Sequence, residues 1–304
     1  MSDRTDLIQP DRGQEAIAIH LVNKEGFDPW ARTLSGPQRA ALAAQKFDGS
    51  GYQVGIVPDG DGWFAVGGVA DPAALSSWCM AKLAEALPAG TYRRADGDPG
   101  AALFGWQTAQ YRFTRYREDK DAEGPRVLLT KEAGKIAAAQ AEAAATFLVQ
   151  DLVNTPAEDM GPAALEAAAE ALAKEHGAKI KVTRGDALEQ EFPMVHAVGR
   201  AAGRSHAPRM IELNWGDEKA PRLAIVGKGV CFDSGGLDIK PSAGMLLMKK
   251  DMGGAAHALA LAGLVMGAGL KVRLQVLIPA VENAIAGNAF RPGDVLPSRA
   301  GLSV

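Results

Sequence analysis

Residues 131–154, KEAGKIAAAQAEAAATFLVQDLVN, limit the possible folds more than any other stretch of the chain. They hold one glycine near the start and no proline, and alanine, glutamine, glutamate and leucine all favour helix. The composition predicts one long helix. Lying between two regions of mixed pattern, such a helix reads as a connector. The expected organisation is a smaller αβ domain over residues 1–128, a linker helix over 129–153 and a second αβ domain over 154–304.

Both flanking regions alternate strand-like and helix-like segments. In the first, EAIAIHLV (15–22) reads as a buried strand, and YQVGIVPDGDGWFAVGGV (52–69) as a hairpin closed by an Asp-Gly turn. DPAALSSWCMAKLAEALPAG (71–90) has helical apolar spacing between an Asp-Pro start and a Pro-Ala-Gly stop, and PRVLLT (125–130) is a further strand. In the second, Pro162 opens a helix that ends on Gly177. The strand candidates AKIKVTR, RMIELNW, RLAIVGKG and LKVRLQVLIPA follow. Alternation of this kind predicts an α/β fold whose second domain carries a mainly parallel or mixed sheet flanked by helices.

Composition excludes several classes of function. A formal charge of −3 gives no general field for nucleic acid, and YRFTRYRED (111–119) reads as a solvated face. Two cysteines, Cys79 and Cys231, form no disulfide framework, which points to a reducing compartment and a cytoplasmic location. The polar start MSDRTDLIQPDRGQ lacks a signal-peptide core, and no apolar run is long enough to span a bilayer.

The chemistry concentrates in RLAIVGKGVCFDSGGLDIKPSAG, residues 222–244. Leu223–Val226 reads as a buried strand with Lys228 at its carboxyl end, where open α/β sheets collect ligands, and with Asp233 in the loop beyond. Lys240 and Asp251 follow. A Lys–Asp ion pair closing a turn explains the first two alone. Asp251 stands where an N-cap would stand before an apolar helix, although Gly253 and Gly254 in that first turn suggest that backbone or ligand comes close. Two chemistries suit two lysines and two aspartates among glycines. One is anion binding, but no Walker or dinucleotide motif is present and the carboxylates would repel a phosphate. The other is a divalent cation held by carboxylates and a neutral lysine amine. His20, His176, His196, His206 and His257 show no ligand spacing, Ser234 lies in no nucleophile elbow, and Cys231 reads as a small buried thiol.

VGKGVCFDSGGLDIKPSAGMLLMKKDMGGAA resembles the signature region of the leucyl aminopeptidase family, dinuclear metallo-aminopeptidases of the cytosol type. DLVNTPAEDMGP resembles that family's entry into its catalytic domain, and VENAIAGNAFRPGDVLPSRAGLSV the segment after its next strand. The likeness covers residues 130–304. The first 128 residues share only length and αβ alternation with it. The resemblance implies that Lys228, Asp233 and Asp251 are metal ligands, with Asp233 bridging two zinc or manganese ions. It makes Lys240 the catalytic group at the substrate carbonyl oxygen and Met248 a wall of the substrate pocket. It further implies peptide substrates with a free amino terminus, release of leucine-type residues, a bicarbonate base, and a homo-hexamer.

One departure follows from the same resemblance. The family's next motif, Asn-Thr-Asp-Ala-Glu-Gly-Arg, supplies further ligands and the bicarbonate-holding arginine, and it lies beyond Val304. Residues 154–304 thus read as the front part of the catalytic domain, and a polypeptide ending at Val304 is expected to be inactive, with weak metal binding. The alternative is a non-catalytic oligomeric scaffold or a regulatory, DNA-binding relative.

Overall fold

The computed structural model describes residues 7–117 and 124–304, so the start of the polar amino terminus and the end of the YRFTRYRED stretch lie outside the described residues. The chain divides into two compact units, residues 1–144 and 145–304.

The first unit is built on β1 (Ile8–Pro10), β2 (Ile17–Val22), β3 (Val54–Asp59), β4 (Gly62–Gly68), β5 (Gly90–Arg94) and β6 (Arg126–Thr130). They form a six-stranded sheet in the order β1-β6-β5-β2-β4-β3. Only the β3–β4 pairing is antiparallel. That pair is the expected hairpin, turned through Gly60 and Asp61 with Gly60 at φ +57°. The helices are α1 (Lys24–Ala31), α2 (Gly36–Ala44), α3 (Ala81–Ala86), α4 (Ala102–Thr108) and the start of α5 (Ala133–Asn154). The helix expected over 71–90 shrinks to α3. Its first half folds into turns in which Asp71 Oδ1 accepts from Ala73 N–H and Cys79 Sγ from Ser76 N–H, local bonds that compete with a helix. Tyr92 and Trp106 fill the core, and each places its polar atom on a carbonyl, Pro88 O at 2.6 Å and Arg126 O at 2.8 Å.

The second unit carries β7 (Lys179–Arg184), β8 (Arg209–Trp215), β9 (Arg222–Val226), β10 (Gly229–Asp233) and β11 (Arg273–Asn283). Its sheet is mixed: β9 and β10 run parallel to β11, whereas β8 is antiparallel to both β11 and β7. The helices are α6 (Pro162–His176), α7 (Gly185–Glu191), α8 (Pro193–Gly199), the one-turn α9 (Ser242–Met245) and α10 (Gly253–Gly267). As read from sequence, α6 starts on Pro162 and stops at Gly177, which takes φ +66°. The end of α5, α6 and α10 bury one face of the sheet around Leu165, Leu259, Val276, Ile278 and Ala280.

Two expectations are corrected. Leu223–Val226 is not a buried strand, because β9 pairs with β11 and, among the described residues, with no other strand. Leu223 and Ile225 are half-buried and Val226 is 68% exposed. Nor does Asp233 lie in a loop: the chain continues past Lys228 as β10, and Asp233 is its last residue.

Candidate metal centre

The strand edge that carries the candidate residues is interrupted once and bulged once. Val226 pairs in register with Leu277 and Gly229 with Ala280, so the alignment carries straight through Gly227 and Lys228. Between them the Lys228 carbonyl accepts instead from Ala255 N–H of α10 at 2.9 Å. This docking of helix onto strand leaves no room for side chains. A Cβ on Gly227 would lie 2.7 Å from Ala255 Cα and from Ala258 Cβ, and one on Gly254 would lie 3.0 Å from Lys228 N. The glycines around Lys228 thus serve a close backbone contact.

The bulge has a larger consequence. Val230 opposes Val281 and Phe232 opposes Glu282, so Cys231 is an extra residue with no partner. Lys228 and Asp233 are five residues apart, an odd separation that in a regular strand places side chains on opposite faces. With the bulge, their positions correspond to Pro279 and Asn283 on β11, an even separation. Both side chains are returned to one face.

Two ion pairs result. Lys228 Nζ lies 2.8 Å from Asp251 Oδ2, with 61% of the lysine side chain exposed and 16% of the aspartate's. Asp251 sits in the 3-10 turn Met248–Met252, which packs on β10. Of the two readings open for Asp251, the N-cap falls away: the cap position of α10 belongs to Met252, and no side chain caps it. Asp251 Oδ2 is buried yet receives no hydrogen bond in acceptable geometry. Charge alone holds the pair.

The second pair joins Lys240 Nζ to Asp233 Oδ2. Asp233 Oδ1 accepts from Asn283 Nδ2 at 2.8 Å and from Gly235 N–H at 3.0 Å. Burial opposes ionisation of Asp233, but the bonds from Lys240, Asn283 and Gly235 outweigh it and hold the carboxyl below 3.8. Met248 opens the turn that carries Asp251 and is half-buried; its neighbours Leu246 and Leu247 are exposed.

The structure therefore pairs each candidate lysine with a candidate aspartate, one pair at the break before β10 and one at its end. Sequence reasoning missed Asn283. Its signal was the polar end of the apolar run LQVLIPAVEN, the strand that flanks Asp233. Cys231 is 1% exposed, and burial pushes its thiol up to about 12, which removes it as a nucleophile. His257 is exposed and turned back to the Gly253 carbonyl, and His206 pairs with Glu282. A surface hollow of about 410 Å³ beside Trp215 and Lys271 lies where β8 ends and β11 begins. That is the opposite end of the sheet from Asp233, away from the charged residues.

The residues fit a divalent cation. They provide two carboxylates and an amine, and each carboxylate is neutralised by a lysine. Among the described residues no group of three or more histidine, cysteine, aspartate and glutamate side chains gathers, here or elsewhere, so the set rests on two carboxylates and the lysines.

Residues 147–304 match the cytosol aminopeptidase family, catalytic domain, and residues 17–129 match the M17 aminopeptidase N-terminal domain. The second match is more specific than the length and alternation noted above for the first region. The probable cytosol aminopeptidase of Rhodococcus jostii (strain RHA1) is 38% identical over 225 residues, spanning 68% of this chain and 44% of that protein. Its counterpart in Leifsonia xyli subsp. xyli (strain CTCB07) is 39% identical over 233 residues, spanning 73% and 46%. The chain thus spans about half the length of the curated relatives it matches. Among solved structures, the cytosol aminopeptidase from Coxiella burnetii superposes with a TM-score of 0.88 at 39% identity, covering 98% of this chain and 66% of that one. The bottromycin maturation enzyme BotP in complex with Mn gives 0.79 at 29% identity, covering 95% and 64%.

Proposed function

The chain belongs to the cytosol aminopeptidase family, and on that premise we propose that it forms part of a metal-dependent aminopeptidase. The enzyme releases amino-terminal residues of the leucine type from peptides with a free amino end. Lys228, Asp233 and Asp251 would hold divalent cations, Asp233 shared between two of them and Lys228 and Asp251 serving one. Carboxylate oxygens and an amine suit zinc and manganese alike, and the manganese in the BotP complex supports the latter. When bound, such ions polarise the scissile carbonyl and lower the pKa of a water.

The chain's own residues do the rest by exchanging partners. Lys228 would leave its charge contact with Asp251, release its proton to solvent and offer a neutral amine; its side chain is exposed enough to do so. Lys240 would pass from Asp233 Oδ2 to the substrate carbonyl oxygen and offset the negative charge that gathers there. Met248 would line the pocket for the amino-terminal side chain. A bicarbonate base, homo-hexameric assembly and a cytoplasmic location belong to the same proposal and rest on family resemblance. Residues 1–304 alone would release no leucine from a leucyl amide.

The observation that carries this reading is the buried Asp251 Oδ2 paired with Lys228 Nζ at 2.8 Å, on a turn packed against the strand that ends in Asp233. Calorimetric titration of residues 1–304 with manganese chloride tests it. Weak binding is expected, reduced at least about tenfold further by Asp251→Asn. No heat of binding in the parent chain, or equal affinity in the variant, contradicts the reading.

A further inference from the structure

Asn283 is tied to the Asp233 loop through both its backbone and its side chain. Its carbonyl accepts from Ser234 N–H at 3.2 Å and from Ser234 Oγ at 2.7 Å. Ser234 Oγ in turn accepts from Gly236 N–H at 3.1 Å, and Ser234 O accepts from Lys240 N–H at 2.9 Å. The carboxamide then reaches Asp233 with Nδ2, while its Oδ1 lies against Gly236. Gly236 takes φ +65°, and a Cβ there would come within 2.8 Å of that oxygen. One asparagine thus fixes the strand end, the turn and one oxygen of the carboxylate.

The division of labour at Asp233 is the informative part. Oδ1 is occupied by two neutral donors, Asn283 Nδ2 and Gly235 N–H, whereas Oδ2 meets the charge of Lys240. We propose that Asn283 is a positioning residue for the metal centre: it anchors Asp233 Oδ1 so that Oδ2 is the oxygen presented to a divalent cation. This rests on the reading of Asp233 as a ligand. A ligand whose orientation is set beforehand loses less freedom on binding, and loss of such an outer partner costs about 10- to 100-fold in metal affinity.

Manganese binding to residues 1–304, followed by electron paramagnetic resonance of the free ion, tests the proposal with Asn283→Leu, Asn283→Gln and Gly236→Ala. The leucine keeps the volume and removes the donor. The alanine crowds the carboxamide oxygen and also strains the left-handed backbone at Gly236. If the leucine variant fails to fold, the alanine is read beside the glutamine variant, whose recovery separates a lost donor from a disturbed turn. The leucine and the alanine are expected to weaken binding about 10- to 100-fold, with partial recovery in the glutamine variant and a changed line shape of the bound ion. A leucine or alanine variant that melts earlier but binds manganese as tightly as the parent assigns Asn283 a structural role and overturns the inference. Absence of binding in the parent overturns the metal-centre reading itself, a distinguishable failure.

Discussion

Gly227 and Gly254 are where the chain commits backbone to function. Strand and helix meet there with no side chain between them, so Lys228 is presented at a fixed point on the edge. Gly227→Ala forces a Cβ into Ala255 and Ala258 and is expected to cost about 1–3 kcal/mol, the usual penalty of overpacking. Gly253→Ala has open space around its Cβ and a helical backbone, and is expected to stabilise by up to about 1 kcal/mol. Urea denaturation of the two variants checks the pair, and a neutral Gly227→Ala would refute the close-contact account. The close approach at Gly254 was legible in the sequence, since a helix-weakening glycine in a first turn requires a reason. Gly253 carried the same signal and has no such neighbour. The capping alternative weighed for Asp251 rests on a purely local pattern. Here the local pattern yields to packing of the 3-10 turn on β10, a contact between residues far apart in the chain.

At the scale of elements, the bulge at Cys231 decides whether Lys228 and Asp233 can act together. No composition or periodicity announced it, because a bulge is defined by the partner strand, and β11 lies forty residues downstream. The strands and helices of the second unit were readable where caps and alternation are strong, as at Pro162 and Gly177. Its antiparallel β8 was not, since parallel and antiparallel pairing leave the same apolar signature in a buried strand. The sheet and α6 are joined by a buried charge cluster outside the candidate site. Glu166 is 6% exposed and accepts from Arg209 Nη1 at 2.6 Å, with Arg184 on its other oxygen. Removing the carboxylate strands Arg209, which is also buried. Glu166→Ala is therefore expected to cost about 3–5 kcal/mol. The exposed Lys82–Glu85 pair is worth under about 1 kcal/mol, so Glu85→Ala serves as the comparison. Thermal unfolding of both variants distinguishes these outcomes, and similar losses would contradict the assignment of Glu166 as a structural hub.

Across the whole molecule, two αβ units of unlike sheet topology share one chain, and among the described residues no helix is long and apolar enough to cross a membrane. The first unit has its own pH dependence. Arg93 holds Asp11 by two hydrogen bonds, and these, with one from Gly13 N–H, keep the Asp11 carboxyl below 3.8. A carboxyl with a depressed folded pKa contributes stability that is complete above its unfolded value and lost as pH falls through the folded one. Asp11→Asn is thus expected to be less stable than the parent at neutral pH, with the difference fading as the pH drops below 3.8. Denaturant midpoints measured across that range check it, and a difference independent of pH would contradict it. The central claim remains that Lys228, Asp233 and Asp251 hold a divalent cation. Its most direct test is a crystal of this chain grown with manganese and measured at the manganese absorption edge. The account predicts an anomalous peak in coordination contact with Lys228 Nζ and the carboxylates of Asp233 and Asp251, with both lysine–aspartate pairs rearranged. A map with no peak there, and with Lys228 still on Asp251 and Lys240 still on Asp233, would contradict it.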